Sequence, residues 1–157
     1  FKNVIPMIYR ILILVICCAG SVFGQDLKDI SRWKVSLSKT GAKPGEQIEI
    51  VFSAEINKNW KLYSSDFKGD IGPLPTEFAF NANNAYQLVG EIRAVKPLKA
   101  VDPTWDKAYT YFTDKAEFRQ TIRVAKAGGK VSGTIKGLLC SNEDGLCVPF
   151  KESFEVH

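Results

Sequence analysis

Cys140 and Cys147 are the residues whose chemistry must be decided first. Six residues, Ser141-Asn142-Glu143-Asp144-Gly145-Leu146, separate them between two strand-like runs. A pair so placed is either a disulfide or a dithiol. Gly145 can supply the positive φ that a tight hairpin needs, and alpha carbons on antiparallel neighbours lie about 4.5–5.5 Å apart, a span a disulfide accepts. As a staple, the bond would stabilise the fold by about 2.5 kcal/mol on chain-entropy grounds. As a redox couple, it would exchange with partner proteins through a mixed disulfide. A staple does most when the loop it closes is long, and this loop is short. The turn also leaves a partner's thiolate room to approach, with Pro149 stiffening the exit. Both readings stay open on these residues alone.

Other chemistries lack their residues. The single histidine, His157, is the last residue, where a Ser-His-Asp or Cys-His device has no base held in register. Two cysteines without histidine fall short of a zinc site, and one methionine, Met7, leaves copper short of soft ligands. Neither a metal nor an organic cofactor is expected. Glu143 and Asp144 read as solvated turn residues, and the glycines lack phosphate-loop spacing.

Cys17 and Cys18 belong to a different kind of segment. Lys2 and Arg10 precede the apolar run Ile11 to Ile16, and small and polar residues follow. That is the pattern of a secretory signal peptide, and Gly24 offers a cleavage point before Gln25. Lipidation at Cys17 or Cys18 needs a small residue just before the cysteine, which Ile16 and Cys17 do not supply. The apolar run is short against the about 20 residues of a spanning helix. The chain opens at Phe1 rather than methionine, so its front is expected to be trimmed. Removing residues 1–24 leaves 133 residues and takes away two cations and no acid, so the formal charge falls from +4 to +2. Nothing in that charge argues for nucleic acid. The length suits one domain, 25–157, and export places it where disulfides persist.

The elements that must position the pair read as short strands. Ile48, Ile50, Phe52 and Ala54 alternate with Glu49, Val51 and Ser53, and Phe118, Gln120, Ile122 and Val124 alternate with Arg119, Thr121 and Arg123. Such period-2 runs are strands with one face in a core. Trp33 to Leu37, Trp60 to Tyr63, Thr76 to Phe80, Tyr86 to Val89, Val131 to Lys136 and Phe150 to Val156 supply further runs between turn signals. No sustained helical period follows Gln25. About seven to nine strands are expected, in an all-β antiparallel sandwich. Val95 to Lys107, with Pro97 and Pro103, is expected to be one long irregular stretch, of the kind that carries function.

Asn59-Trp60-Lys61-Leu62-Tyr63, Gly72-Pro73-Leu74-Pro75-Thr76, the Asp102 to Phe112 stretch, the Ala116 to Ile122 strand and Cys140…Cys147-Val148-Pro149 occur in a distinctive order. From about Trp33 to Val156 the chain resembles the amino-terminal periplasmic domain of the thiol:disulfide interchange protein DsbD. The resemblance implies an immunoglobulin-like sandwich and a protein-disulfide reductase component that relays reducing equivalents, without a small-molecule substrate. It assigns Cys147 to the mixed disulfide with partners and Cys140 to its resolution. It makes Trp105, within Asp102 to Asp106, a cap over the pair, and sets Tyr63 beside it. Asp102 and Asp106 would hold an idle thiol protonated. The implied donors are a thioredoxin-like domain or a membrane electron donor. The implied clients are oxidised periplasmic thiol proteins, among them disulfide isomerases and cytochrome c maturation proteins.

The chain departs from the family pattern in two places. It has one residue more between the cysteines, and Phe150 where a second proline is usual. The family protein continues into a membrane domain and a thioredoxin-like domain, so this chain is expected to be either a stand-alone module or a piece of a longer protein. The rival reading is an exported, non-enzymatic binding module with a permanent disulfide, which would grip its partner with exposed Trp60 and Trp105.

Overall fold

The computed structural model describes residues 27–70, 72–104 and 106–157. The expected signal peptide, with Cys17 and Cys18, and also Trp105, lie outside the described residues. One helical turn, α1 (Leu27–Ile30), leads into β1 (Ser31–Leu37), β2 (Gln47–Ile56), β3 (Trp60–Tyr63), β4 (Glu77–Phe80) and β5 (Tyr86–Ala94). Then follow β6 (Leu98–Asp102), β7 (Lys107–Phe112), β8 (Lys115–Val124), β9 (Val131–Ser141) and β10 (Cys147–Val156). Two antiparallel sheets result. One has the order β1-β2-β8-β5; the other runs β10-β9-β3-β7-β6, with β4 also paired to β9. The expected all-β sandwich is what forms.

Alternation decides which side chains fill the space between the sheets. In β2 and β8 the inward sets meet rung by rung, as Ile48↔Ile122, Phe52↔Phe118 and Ala54↔Ala116, and Phe52 and Phe118 are 0% exposed. The second sheet answers with Leu62, Phe112, Ile135, Leu139, Phe150 and Phe154, all buried. Rings cross the gap: Phe52 lies 4.9 Å from Phe154 and Phe112 lies 5.2 Å from Phe118, centroid to centroid. Burying each such side chain contributes about 1.5–3 kcal/mol. Gly137 makes room for one of them, because it faces Phe150 across β9 and β10 and a Cβ there would sit 2.9 Å from that ring.

Two expectations about the elements are corrected. There are ten strands among the described residues, not seven to nine, and Val95 to Lys107 is not a single irregular stretch. β6 lies inside it and pairs with β7 from Leu98↔Tyr111 to Asp102↔Lys107. Its flanking prolines, Pro97 and Pro103, fall just outside the strand, where a missing N–H costs no ladder bond. β6 is also an edge strand with both faces partly exposed, so it shows no hydrophobic alternation to read.

Candidate functional site

β9 and β10 zip from Val131↔Val156 to Cys140↔Cys147, which makes the cysteines the last rung before the turn. They are joined in a disulfide with their alpha carbons 4.1 Å apart. The sequence permitted that pairing, and the register makes it direct.

The turn that holds the rung is built from its own polar residues. Ser141 N–H donates to the Leu146 carbonyl at 2.8 Å, and Ser141 Oγ accepts from the Glu143 and Asp144 amides at 3.2 and 3.4 Å. Leu146 N–H donates to the Asp144 carboxylate at 3.1 Å. That bond first, and the Ser141 hydroxyl second, hold the Asp144 carboxyl below its ordinary range. Gly145 takes a φ of 73°, as expected of a residue that must turn the chain left-handed. A neighbouring turn clamps this one: Asn142 N–H donates to the Asn59 carbonyl at 2.7 Å, and the Asn59 side chain donates to Glu143.

The two sulfurs do not share one environment. Cys140 is 2% exposed, whereas Cys147 is exposed. The cause is the sheet order, since β9 has neighbours on both sides and β10 is an edge. Cys147 Sγ also lies 3.7 Å from the Gly145 carbonyl oxygen. As half of a disulfide it has no proton to give; as a thiol it would donate there.

Across β9 from Cys147, Lys61 of β3 stands opposite Cys140. Their neighbours Leu62 and Leu139 are 0% exposed and point into the core, so Cys147, Cys140 and Lys61 form a row on the outer face. Tyr63, two residues on, shares that face and is 8% exposed. Its ring meets Tyr109 at 5.4 Å and Phe67 at 6.4 Å, and Tyr109 meets Tyr111 at 5.8 Å. Lys61 Nζ lies 5.5 Å from the Tyr63 centroid and 5.8 Å from that of Tyr109, in cation–π range. Burial pushes the Tyr63 hydroxyl above its ordinary pKa, against the opposing pull of Lys61.

The remaining candidates are placed as follows. Asp102 ends β6, accepts from Thr104 N–H at 2.8 Å through its carboxylate and from Asp106 N–H at 2.9 Å through its carbonyl. Its charge reaches Tyr63 and Tyr109, helping to raise both hydroxyls. Asp106 is exposed with a φ of 50° at the hairpin tip. Pro149 is exposed on the outer edge strand, opposite Leu138. Trp105 lies outside the described residues. Trp60, taken as an exposed gripping residue in the binding-module reading, is buried at 8%. Its alternate position with Leu62 on the core face accounts for that.

Lys61, Phe67, Tyr109 and Tyr111 were not singled out by the sequence. A signal existed, since the i, i+2 spacing of Lys61 with Tyr63 and of Tyr109 with Tyr111 puts each pair on one face of its strand. Among the described residues no group of three or more His, Cys, Asp or Glu could hold a metal ion. No described helix is long and apolar enough to cross a membrane.

The chain is similar in fold to the N-terminal periplasmic domain of ScsB from Proteus mirabilis, with a TM-score of 0.53 and 15% identity. That match covers 81% of this chain and 46% of the other, so the chain spans about half the length of that relative. The reduced DsbD N-terminal domain of Neisseria meningitidis matches with a TM-score of 0.47 and 16% identity, over 82% of this chain and 84% of that one. The DsbD N-terminal domain complexed with the PilB N-terminal domain, also from Neisseria meningitidis, gives 0.47 and 16%, over 78% of this chain and 80% of that one. No curated protein matches the chain. The family model described as thiol:disulfide interchange protein DsbD, N-terminal, matches residues 34–157, the stretch that holds all of both sheets but the first three residues of β1, and the cysteine rung. The chain therefore belongs to the family of DsbD N-terminal domains.

Proposed function

We propose that this domain is a thiol–disulfide exchange module of the bacterial envelope, in which Cys147 forms the mixed disulfide and Cys140 resolves it. The observation that carries the roles is the difference in exposure: Cys147 is exposed and Cys140 is 2% exposed. Exchange proceeds by thiolate attack along the sulfur–sulfur axis, so the sulfur a partner can reach is the one it joins. Family membership supports reducing equivalents as the cargo. A thioredoxin-like domain or a membrane donor would supply them. Oxidised periplasmic thiol proteins, such as disulfide isomerases or cytochrome c maturation proteins, would take them. The export signal in residues 1–24 is consistent with that compartment. Trp105, carried between Asp102 and Asp106, is the lid in this reading. An aromatic side chain covers a large area with few rotatable bonds to order, and Tyr63 and Pro149 border the same pair.

The test uses the chain with Cys17→Ala and Cys18→Ala, so that only the pair reacts. Offered an oxidised thioredoxin-like protein, Cys140→Ser is expected to accumulate a mixed disulfide much faster than Cys147→Ser. Equal rates, or the reverse order, would remove the roles. In the reduced pair, Trp105→Ala is expected to speed alkylation of Cys147, and Asp102→Asn with Asp106→Asn to speed it further. Unchanged rates would remove the lid and its carboxylates. The rival, a permanent staple in a binding module, would show a reduction potential well below about −300 mV and no reduction by a thioredoxin-like donor.

A further inference from the structure

We propose that Ser141 and Asn59 are positioning residues for exchange: they hold the turn between the cysteines in shape whether or not the sulfurs are joined, and so set how readily the Cys140–Cys147 bond closes. The proposal deepens the exchange reading above and rests on it. Its basis is that the bonds shaping the turn use no sulfur. Residues 142–147 are exposed, and a short exposed loop whose ends are released regains the freedom that closure had cost. Two anchors oppose that here. Ser141 ends β9 and is buried. Its N–H donates to the Leu146 carbonyl at 2.8 Å, which ties the residue after Cys140 to the residue before Cys147. Its hydroxyl oxygen accepts from the Glu143 and Asp144 amides.

Asn59 holds the same turn from outside. It takes a φ of 68°, in the left-handed region that asparagine tolerates better than most residues. Its carbonyl accepts from Asn142 N–H at 2.7 Å, and its side chain donates to Glu143. Trp60, next in the chain, is buried and pairs in register with Ser141, so Asn59 is a fixed post. The two cysteines depend on this turn unequally. Cys140 is paired on both sides, with Cys147 and with Lys61. Cys147 is the first residue of the edge strand β10, held by its ladder on one side of the sequence and by the turn on the other.

The consequence follows from the exchange steps. The Cys147 thiolate attacks one sulfur of a client disulfide, the Cys147–client bond forms, and the client's other sulfur leaves as a thiolate. Cys140 then gives its proton to solvent and attacks Cys147 Sγ. The Cys140–Cys147 bond forms, and the client's first sulfur leaves with the electron pair. The client gains two electrons and takes from solvent the two protons that the pair has lost. The second step is a ring closure, favoured by every restraint that keeps the reacting sulfurs within reach. The disulfide and the turn bonds require the same geometry, so each favours the other by the same factor. Cutting the turn bonds therefore makes the disulfide easier to reduce and the dithiol a weaker reductant. A turn with a merely structural role would lower the stability of both redox states alike and leave that equilibrium where it was.

The test equilibrates the chain carrying Cys17→Ala and Cys18→Ala with graded mixtures of reduced and oxidised dithiothreitol, and counts free thiols by mass after alkylation. Ser141→Ala and Asn59→Gly, the latter keeping a residue at ease with positive φ, are each expected to shift the equilibrium about threefold toward the dithiol, the weight of one modest hydrogen bond. Together they are expected to shift it about tenfold, or about 30 mV for two electrons. Glu143→Ala cuts the Asn59 bond from the turn's side, and is expected to match Asn59→Gly and add nothing to it. In the reduced chain without these substitutions, the Asn142 amide is expected to stay protected from hydrogen exchange. Equilibria unchanged or shifted toward the disulfide overturn the proposal, as does an Asn142 amide that exchanges freely once the pair is reduced. Additive effects of Glu143→Ala and Asn59→Gly overturn the part given to Asn59. Should Ser141→Ala or Asn59→Gly fail to fold, Glu143→Ala, at an exposed position, decides under the same criteria. The equilibrium needs no protein partner, so a pair that exchanges with no thioredoxin-like donor would sink the exchange reading while this comparison is still decided.

Discussion

Asp144 shows what one carboxylate does for the turn between the cysteines. Its bonds from Leu146 N–H and to Ser141 lower its pKa from the ordinary 3.8. A carboxyl depressed on folding contributes order that is present above its unfolded pKa and lost as pH falls through the lower folded one. The Leu146 amide resonance is therefore expected to titrate with a midpoint below 3.8. In Asp144→Asn that titration should vanish while the Val148 to Val156 amides keep their shifts. A Leu146 amide indifferent to pH would mean the bond does not persist in solution. At this scale the cysteines and Gly145 were legible, because each type has few uses at that spacing. Lys61 was not, since a lone lysine on a strand is ordinarily a solvated one. Only the structure shows that it stands opposite Cys140 in register and lies over the Tyr63 and Tyr109 rings.

Among the elements, β8 carries a polar residue where its alternation calls for an apolar one. Gln120 is 2% exposed, and its amide donates to the carbonyls of Val89 and Gly90 at 3.2 Å each and of Thr121 at 2.9 Å. The β5–β8 register shifts between Val89 and Arg93, and a bulge of that kind takes carbonyls out of the ladder. Gln120 satisfies them from inside the sandwich. Gln120→Leu is expected to cost about 1–3 kcal/mol in urea unfolding, the penalty of stranded buried acceptors, with an unchanged m-value. A neutral effect would mean that water reaches the bulge. The sequence counted Gln120 on the inner face but gave no hint of the bulge it serves, because bulges arise from pairing between distant strands. The same cause hid β6, and it let β9 run on to Ser141 where a shorter strand was expected. β2 and β8 were plain, since each buries one face along its whole length.

For the whole molecule, the disulfide lies at the end of a ladder rather than in the core. Between Val131↔Val156 and Val148↔Leu139, β9 and β10 are held by backbone pairing and by side-chain packing such as Phe150 over Gly137, with no covalent link, and the inter-sheet rings do not involve either cysteine. Reduction is therefore expected to leave the sandwich folded, with stability lower by about 2.5 kcal/mol, the chain-entropy value for so small a loop. Unfolding on reduction, seen as lost near-ultraviolet circular dichroism, would show that the bond is a structural necessity. A domain that cycles between two redox states needs both to be folded, and a core made of Phe52, Phe118, Phe150 and Phe154 provides for that. The sandwich was legible because alternation and turns are local signals. The division of the cysteines into a sheltered and an open one was not, for it depends on which strand ends up at the edge.

Pro149 draws a further consequence from that edge. β10 is the outermost strand of its sheet, and an open strand edge invites other chains to lay their own strands along it. Pro149 has no N–H to offer, so any such ladder is interrupted two residues from Cys147. Charged Lys151, Glu152 and Glu155 continue the defence toward the C-terminus. In the exchange reading proposed above, an accessible Cys147 is in this way kept from self-association along the strand that displays it.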